Sequence, residues 1–317
     1  MNNLVNTNKV SFKASPVLKW AGGKTRLLSQ LKERYPEQLQ QGKINTYIEP
    51  FVGGGAVFLN IINNFKLEKA YLFDINTELI ILYRVIQKDV DCLINKLSTL
   101  SERYRALNKE QRKIFYYESR DTYNCFDKKI DTSTYQKEWS ERAALTVFLN
   151  RTCYNGLYRV NKKGAFNVPM GKYKNPKILD IDNLKAVNKA LQIARIQQVD
   201  FSKVLKYADC HTFIYYDPPY RPISKTANFN SYSSNAFDDS EQKRLRDIFG
   251  LASKQGALQM LSNSDPSNYV KDSFFDDLYR EFDVQRIFAS RAINSKGNSR
   301  GAIKEILITN YRAKKQL

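Results

Sequence analysis

Histidine is nearly absent: His211 is the only one in 317 residues. That argues against Ser-His and Cys-His nucleophilic catalysis, which need an imidazole beside the nucleophile. His211 stands next to an apolar strand, where a structural role is expected. The four cysteines, Cys92, Cys125, Cys153 and Cys210, are scattered and form no CxxC pair. Zinc would therefore lack ligands at useful spacing, and no metal is expected. Scattered free thiols suit a reducing cytoplasm. No apolar run approaches the roughly 18 residues that a membrane helix needs. The opening "MNNLVNTNKVSFKAS" is Asn-rich and has no apolar h-region, so residues 1–15 are expected to be a loose tail rather than a signal peptide. Internal repeats and heptads are also missing.

Positive charge is in excess. Lysine and arginine number 51 against 32 acids, a formal net charge of +19. Such an imbalance speaks of partners rather than fold. A polyanion such as nucleic acid is the leading candidate, and an anionic membrane surface is second. Hydrophobic residues make up 42% of the chain, enough for a large core in one or two domains.

Order along the chain suggests an interrupted α/β domain. "TRLLSQLKERY" has apolar residues at helical spacing before Pro36. "TYIEPFVGGGAVFLNII" reads as strand, glycine turn and helix start, "KAYLFDIN" as a strand ending in an acid, and "TELIILYRVIQ" as a helix. A βαβα beginning predicts a parallel sheet with crossover helices. Residues 88–150 then turn helical, charged and Tyr-rich. A hairpin follows, with strands Leu157–Val160 and Ala165–Val168 around the turn Asn161–Gly164. Sheet-type segments return with "ARIQQVDF", "HTFIYYDPPY", "ALQMLSNS", "DVQRIFASR" and "KEILITNYR", and "SEQKRLRDIFGLASKQG" reads as a helix. The predicted division is a discontinuous α/β domain of 16–87 and 190–317, interrupted by an insert at 88–189 that carries the hairpin 154–170.

Three motifs carry chemistry. "KWAGGKT" ends like a phosphate-cradling P-loop, but the glycine expected five positions before Gly23 is Leu18. "DPPY", Asp217 to Tyr220, closes an apolar strand, and ligands in open α/β sheets bind beyond strand carboxyl ends. Two prolines fix the backbone and remove two N–H groups, leaving carbonyls as unopposed acceptors. Asp217 and the Pro218 carbonyl can then accept the two hydrogens of an exocyclic amine while Tyr220 stacks on its ring. An ordinary turn is the plainer reading. "EPFVGGGAVF" is glycine-rich without the GxGxxG spacing that surrounds a pyrophosphate, which better suits close approach to an uncharged ribose or thioether. Asp74 follows Gly55 by about 20 residues, the spacing of a ribose-binding acid. A tight turn at Gly53–Gly55 and a helix cap at Asp74 remain the structural alternatives.

In this order, "KWAGGK", "EPFVGGGAVFLN", "DIN", "NGLYRVNKKGAFNVPMGKYKNP" and "DPPY" resemble the DNA adenine-N6 methyltransferase family. The arrangement is that of the alpha group of amino-methyltransferases, and within it the GATC-specific branch. The likeness runs from about Leu18 to Tyr311, and the hairpin segment is its most specific part. It implies a Rossmann-like, S-adenosylmethionine-dependent methyltransferase sheet with an inserted helical plus β-hairpin target-recognition domain. S-adenosylmethionine would be the methyl donor. Trp20, Lys24, Phe51, Gly53, Gly55, Asp74, Asp200, Phe201 and Asp217 are implied at the cofactor, with Lys24 paired to its carboxylate. Asp217, Pro218, Pro219 and Tyr220 are implied at the transferring centre.

Double-stranded DNA is the implied partner. Lys19 would meet the first base, Arg159 a guanine, Pro169 a thymine methyl and Asn155 a phosphate. Tyr154 and Leu157 would wedge beside a flipped base, and Lys162, Lys163, Lys172 and Lys174 would add phosphate contacts. Without the resemblance, Tyr154 and Leu157 read as hairpin core and Arg159 as a solvated charge. The chain is expected to act as a monomer; a cognate restriction endonuclease acting separately stays open. The basic "SRAINSKGNSRGAIKE" reads as a DNA-contacting loop or a linker.

Three rivals stand beside this reading. A nucleotide hydrolase built on GGKT leaves DPPY unexplained. A basic DNA-binding module without catalysis leaves both the cofactor and DPPY segments unexplained. The same chemistry directed at cytosine N4 or at adenine in RNA is not excluded by DPPY, which can hold any exocyclic amine.

Overall fold

The computed structural model describes residues 13–127, 129–221, 237–265, 272–289 and 303–312. Its centre is a seven-stranded sheet of β1 (Thr46–Glu49), β2 (Lys69–Asp74), β3 (Ala194–Gln198), β4 (Thr212–Tyr216), β5 (Leu258–Ser264), β6 (Asp283–Ala289) and β7 (Ile303–Thr309). The spatial order is β3-β2-β1-β4-β5-β7-β6. Strands β1 to β5 run parallel, and β7 pairs antiparallel with both β5 and β6. This is a mixed α/β architecture, consistent with a Rossmann-like methyltransferase sheet.

Strand alternation divides the interior into two cores, because successive side chains point to opposite faces. Tyr47, Leu72, Phe213, Tyr215, Met260 and Leu307 enter one core. Their neighbours Ile48, Phe73, Ile214, Tyr216, Leu261, Ile306 and Ile308 enter the other. Central β1 and β4 are buried at every position, as strands covered on both faces should be.

The first core is covered by α1 (Leu28–Lys32), α2 (Glu37–Gln40), α3 (Ala56–Asn64), α4 (Thr77–Ala106), α5 (Lys109–Cys125), α6 (Trp139–Thr152) and α7 (Ile181–Leu191). The second is covered by α8 (Asp239–Lys254) and α9 (Phe274–Leu278). Helix α4 starts where Asn76 caps the backbone N–H groups of Glu78 and Leu79. Two helical segments within it meet across a kink at the non-helical Asp89, beside the expected boundary at 87/88. The sheet and the helices α4–α6 share one hydrophobic cluster. Helix α6 lacks a polar face, and its residues are buried almost throughout. Glu78 at the start of α4 and Arg142 of α6 form a buried ion pair, with Arg142 Nε 2.9 Å from Glu78 Oε2.

The hairpin departs from its expected form. Leu157–Val160 and Ala165–Val168 form no regular strands; the ribbon carries isolated bridges Cys153↔Met170 and Val160↔Phe166. Cross-strand bonds run from the Asn161 N–H to the Ala165 carbonyl (2.9 Å) and from the Asn167 N–H to the Arg159 carbonyl (3.2 Å), and side chains from neighbouring helices bond backbone groups that face away from the opposite strand. Asn124 of α5 accepts from the Phe166 N–H (2.8 Å) and donates to its carbonyl (3.1 Å). Tyr116 donates to the Val168 carbonyl (2.8 Å), and Asn150 of α6 donates to that of Gly156 (2.9 Å). Buried backbone groups need partners, and here the helices supply them. Residues 1–12 of the expected tail and most of the basic segment 290–305 lie outside the described residues.

Candidate functional site

The parallel strands deliver their motifs to one edge. The glycine loop follows β1, Asp74 ends β2 and Asp217 follows β4, and these three strands are neighbours. Ligands of open α/β sheets bind at that edge.

The glycine loop is held from three sides. Asp74 Oδ2 accepts the Gly53 N–H at 2.9 Å while Oδ1 accepts that of Asn76 at 2.9 Å. Tyr83 of α4 donates to the Gly53 carbonyl at 2.7 Å. Gly53 has φ +46°, and a Cβ there would stand 3.2 Å from Trp20 Cδ1, so the loop can lie against the indole only without a side chain. The cap alternative for Asp74 is corrected: Asn76 caps α4, and Asp74 ties the loop to the strand end. Burial lifts the Asp74 carboxyl above its ordinary range, although the backbone N–H groups of Asn76 and Gly53 oppose the shift. Each carboxylate oxygen retains a lone pair for a hydroxyl donor.

Beside this loop, Phe51 and Phe201 lie 5.4 Å apart, and Phe237 lies 5.7 and 5.8 Å from them. Arg244 of α8 sits over the Phe201 ring at 3.9 Å and forms a bidentate pair with Asp200. Arg244 hydrogen bonding holds the Asp200 carboxyl below the usual range. The aromatic cluster, the glycine loop and Asp74 suit a flat heterocycle with a ribose. That is the chemistry of the S-adenosine moiety, so the residues present fit the implied cofactor.

Lys24 is deeply buried and ion-paired. Its Nζ lies 2.6 Å from Asp217 Oδ1, 3.2 Å from the Gly22 carbonyl and 3.2 Å from Tyr220 Oη. Burial alone would depress the ammonium, but Asp217, Tyr220 and Glu305 outweigh it and hold the group above its ordinary value. "GGKT" is thus no phosphate cradle, since its lysine is engaged by carboxylates. Tyr220 is partly exposed and donates to Glu305 Oε1 of β7 at 3.0 Å. Burial lifts the Asp217 carboxyl, and Lys24 only partly offsets this. The Pro219 carbonyl accepts from Gln242 at 3.3 Å, while among the described residues no donor meets the Pro218 carbonyl. Beneath them Glu49, 2% exposed, accepts the Tyr47 hydroxyl at 2.7 Å.

The ribbon is tied to this edge. Trp20 stacks on Tyr158 with ring centroids 5.1 Å apart. The Lys19 backbone exchanges two hydrogen bonds with the Asn150 side chain, at 2.9 and 2.8 Å. Lys19 Nζ donates to Tyr173 Oη at 3.3 Å. Arg159 is exposed; its Nε donates to Asn167 Oδ1 at 2.8 Å, and among the described residues its terminal nitrogens have no partner. Tyr154, Asn155 and Pro169 are exposed, with Asn155 at φ +55°. Leu157 is instead half-buried against the core, so it and Tyr154 do not share one environment. Lys162, Lys163, Lys172 and Lys174 are exposed along the same ribbon and its continuation.

Sequence reasoning missed Glu305, Glu49, Phe237, Arg244 and Tyr158. Tyr158 carried a signal, alternating with Leu157 and Arg159 toward the opposite side of the ribbon, and Glu49 opens the motif "EPFVGGGAVF".

No described helix is long and apolar enough to cross a membrane, and the described residues hold no group of metal-binding side chains. A family model described as D12 class N6 adenine-specific DNA methyltransferase matches residues 20–293. The Type II methyltransferase M.MjaIII of Methanocaldococcus jannaschii is 47% identical over 301 residues, covering 95% of this chain and 100% of the relative. The Type II methyltransferase M1.LlaDCHI of Lactococcus lactis is 37% identical, over 98% of this chain and 99% of that one. The DNA adenine methylase of Haemophilus influenzae is 33% identical, over 94% of each chain.

Proposed function

The chain belongs to the D12 class N6 adenine-specific DNA methyltransferases, and from that premise we propose that it methylates adenine within GATC after extruding the base into the DPPY pocket. Membership makes it an S-adenosylmethionine-dependent enzyme acting on DNA. The target sequence, the flipped base and the residue roles are the proposal.

One observation carries it. Two acceptors, the Asp217 carboxylate and the Pro218 carbonyl, stand at the edge of the sheet beside the partly exposed Tyr220 ring. An adenine amine is a poor nucleophile because its lone pair is drawn into the ring. Acceptors on both N–H groups push the nitrogen toward sp³ character, and they gain strength as it becomes cationic, so they favour the transition state. When bound, S-adenosylmethionine supplies a methyl carbon already activated by its sulfonium. The glycine loop, Asp74 and the Phe51–Phe201 pair would hold that donor in line with N6. As the nitrogen takes the methyl it gains a positive charge, which Asp217 stabilises before the proton leaves to solvent. A base inside a duplex cannot reach these groups, so extrusion, costing a few kcal/mol, is part of the reading.

Readout is assigned to the ribbon, with Arg159 on a guanine edge, Pro169 on a thymine methyl, Asn155 on phosphate, and Lys19 beside the first base. The exposure of Arg159, and terminal nitrogens without a partner among the described residues, support this role. The segment 88–189 is read as the recognition insert, and the chain as acting on duplex DNA as a monomer. The Type II names of two relatives favour a restriction endonuclease acting separately as a companion. Plasmid DNA from cells expressing the protein tests the core claim. It should resist a nuclease blocked by N6-methylated GATC and be cut by one that requires it. Methylation of adenine elsewhere would retain the chemistry and refute the sequence.

A further inference from the structure

Two carboxylates compete for one buried cation at the transferring centre. The ammonium of Lys24 has three protons, and its acceptors are Asp217 Oδ1, the Gly22 carbonyl and Tyr220 Oη. Glu305 is 8% exposed and reaches the same cluster from β7. Its Oε1 accepts the Tyr220 hydroxyl at 3.0 Å. Its Oε2 is buried, has no hydrogen-bond partner among the described residues, and lies 4.0 Å from Lys24 Nζ. A buried carboxylate oxygen without a donor is costly unless another state satisfies it.

The proposed role of Asp217 creates that state. To accept an amine N–H and stabilise positive charge on the nitrogen, Asp217 needs its negative charge available. An ammonium 2.6 Å away draws on that charge and repels the cation forming beside it. A shift of Nζ by roughly 1 Å would bring it within hydrogen-bond distance of Glu305 Oε2. Tyr220 Oη, bonded to Lys24 and Glu305 alike, bridges the two positions. Burial lifts the Glu305 carboxyl above its ordinary range and Asp217 adds to the shift, while Lys24 opposes it; closer approach of Lys24 favours the ionised form.

We propose that Glu305 is the alternate counter-ion of Lys24: the lysine passes from Asp217 to Glu305 as Asp217 takes up the target amine, so one cation serves the two carboxylates in turn. Glu305 is thus a positioning residue, acting through Lys24 rather than on the substrate. The inference rests on the reading of Asp217 as the amine acceptor.

Glu305→Gln tests it, because the amide oxygen still accepts from Tyr220 while the negative charge is lost. On plasmid DNA kcat should fall about 10- to 100-fold, with KM for DNA and the calorimetric Kd for S-adenosylmethionine within about twofold of wild type. In a Lys24→Met background, Glu305→Gln should cause little further loss. Glu305→Asp, which keeps the charge, should recover kcat several-fold over the glutamine variant. Wild-type kcat in Glu305→Gln overturns the proposal, as does an undiminished loss in the Lys24→Met background. If Glu305→Gln does not fold, Glu305→Asp decides alone: its shorter reach should lower kcat without changing either affinity, and unchanged kcat overturns the idea. Full transfer by Asp217→Ala would instead sink the reading of the site on which the inference rests.

Discussion

The sheet edge and the ribbon use charge in opposite ways. At the edge, Lys24, Asp217, Glu305 and Glu49 are wholly or largely withdrawn from water and bonded to one another or to tyrosine hydroxyls. On the ribbon, Arg159, Lys162, Lys172 and Lys174 stand in solvent, on backbone held by isolated bridges and by helix side chains. Charge placed in low dielectric is strong and orientation-dependent, which suits stabilisation of a transition state. Solvated charge on an adaptable support suits a surface that must fit a polyanion and release it. The ion pair Glu78–Arg142 belongs to the first kind although it lies in the helical region: it bolts α6, which backs the ribbon, to the start of α4.

Removing charge from the buried set should therefore cost more than removing it from the ribbon. The largest effect is expected at Arg142→Ala, which leaves Glu78 buried without its cation; urea unfolding should show a loss of about 3–5 kcal/mol. Little change would mean that water reaches the pair. Asp217→Ala comes next, lowering kcat about 10²- to 10³-fold, equivalent to about 2.7–4 kcal/mol, with DNA affinity retained in a gel-shift titration. A sizeable residual rate would remove Asp217 from the chemistry.

Arg159→Ala should reduce discrimination between GATC and sites changed at one guanine by about 1–3 kcal/mol, read on a panel of duplexes at fixed salt. Lys162→Ala should instead weaken binding to every duplex alike and lower the salt slope by about 1. Equal losses on all duplexes for Arg159→Ala would make it a phosphate clamp and blur the contrast within the ribbon.

The smallest expected effect is a pH dependence. Burial, with smaller contributions from Asp217 and Asp74, pushes the Glu49 carboxyl well above its ordinary range despite the Tyr47 hydroxyl, which pulls the other way. The folded state then binds more protons than the unfolded one, so stability should fall as pH rises from the ordinary carboxylate range toward the raised value. One such group contributes up to about 1.4 kcal/mol per pH unit. Glu49→Gln should flatten the fall in denaturation midpoints across that window. An unchanged slope would show that Glu49 is ionised in the folded protein, and the contrast between dry and wet charge would weaken at its centre.

Local pattern determined a good deal. Apolar segments marked the strands, "TELIILYRVIQ" marked the first part of α4, and the glycines after Glu49 marked a turn. Motif order alone carried the family, because cofactor segments, hairpin and DPPY keep their sequence positions whatever their contacts. Tertiary structure decided what each charge faces. Glu305 was invisible because β7 runs antiparallel to β5, so a residue near the start of the last strand, opposite Ser264, arrives at the edge where parallel strands end. The pairing of Lys24 with Asp217 joins residues 193 positions apart, and no periodicity encodes such a distance. The support of the ribbon is set in the same way: Asn124 and Tyr116, on a helix distant in sequence, bond the Phe166 and Val168 backbone groups that face away from the opposite strand. Spacing along a chain constrains residues one turn or one strand away, whereas burial and ion pairing depend on distances that only packing sets.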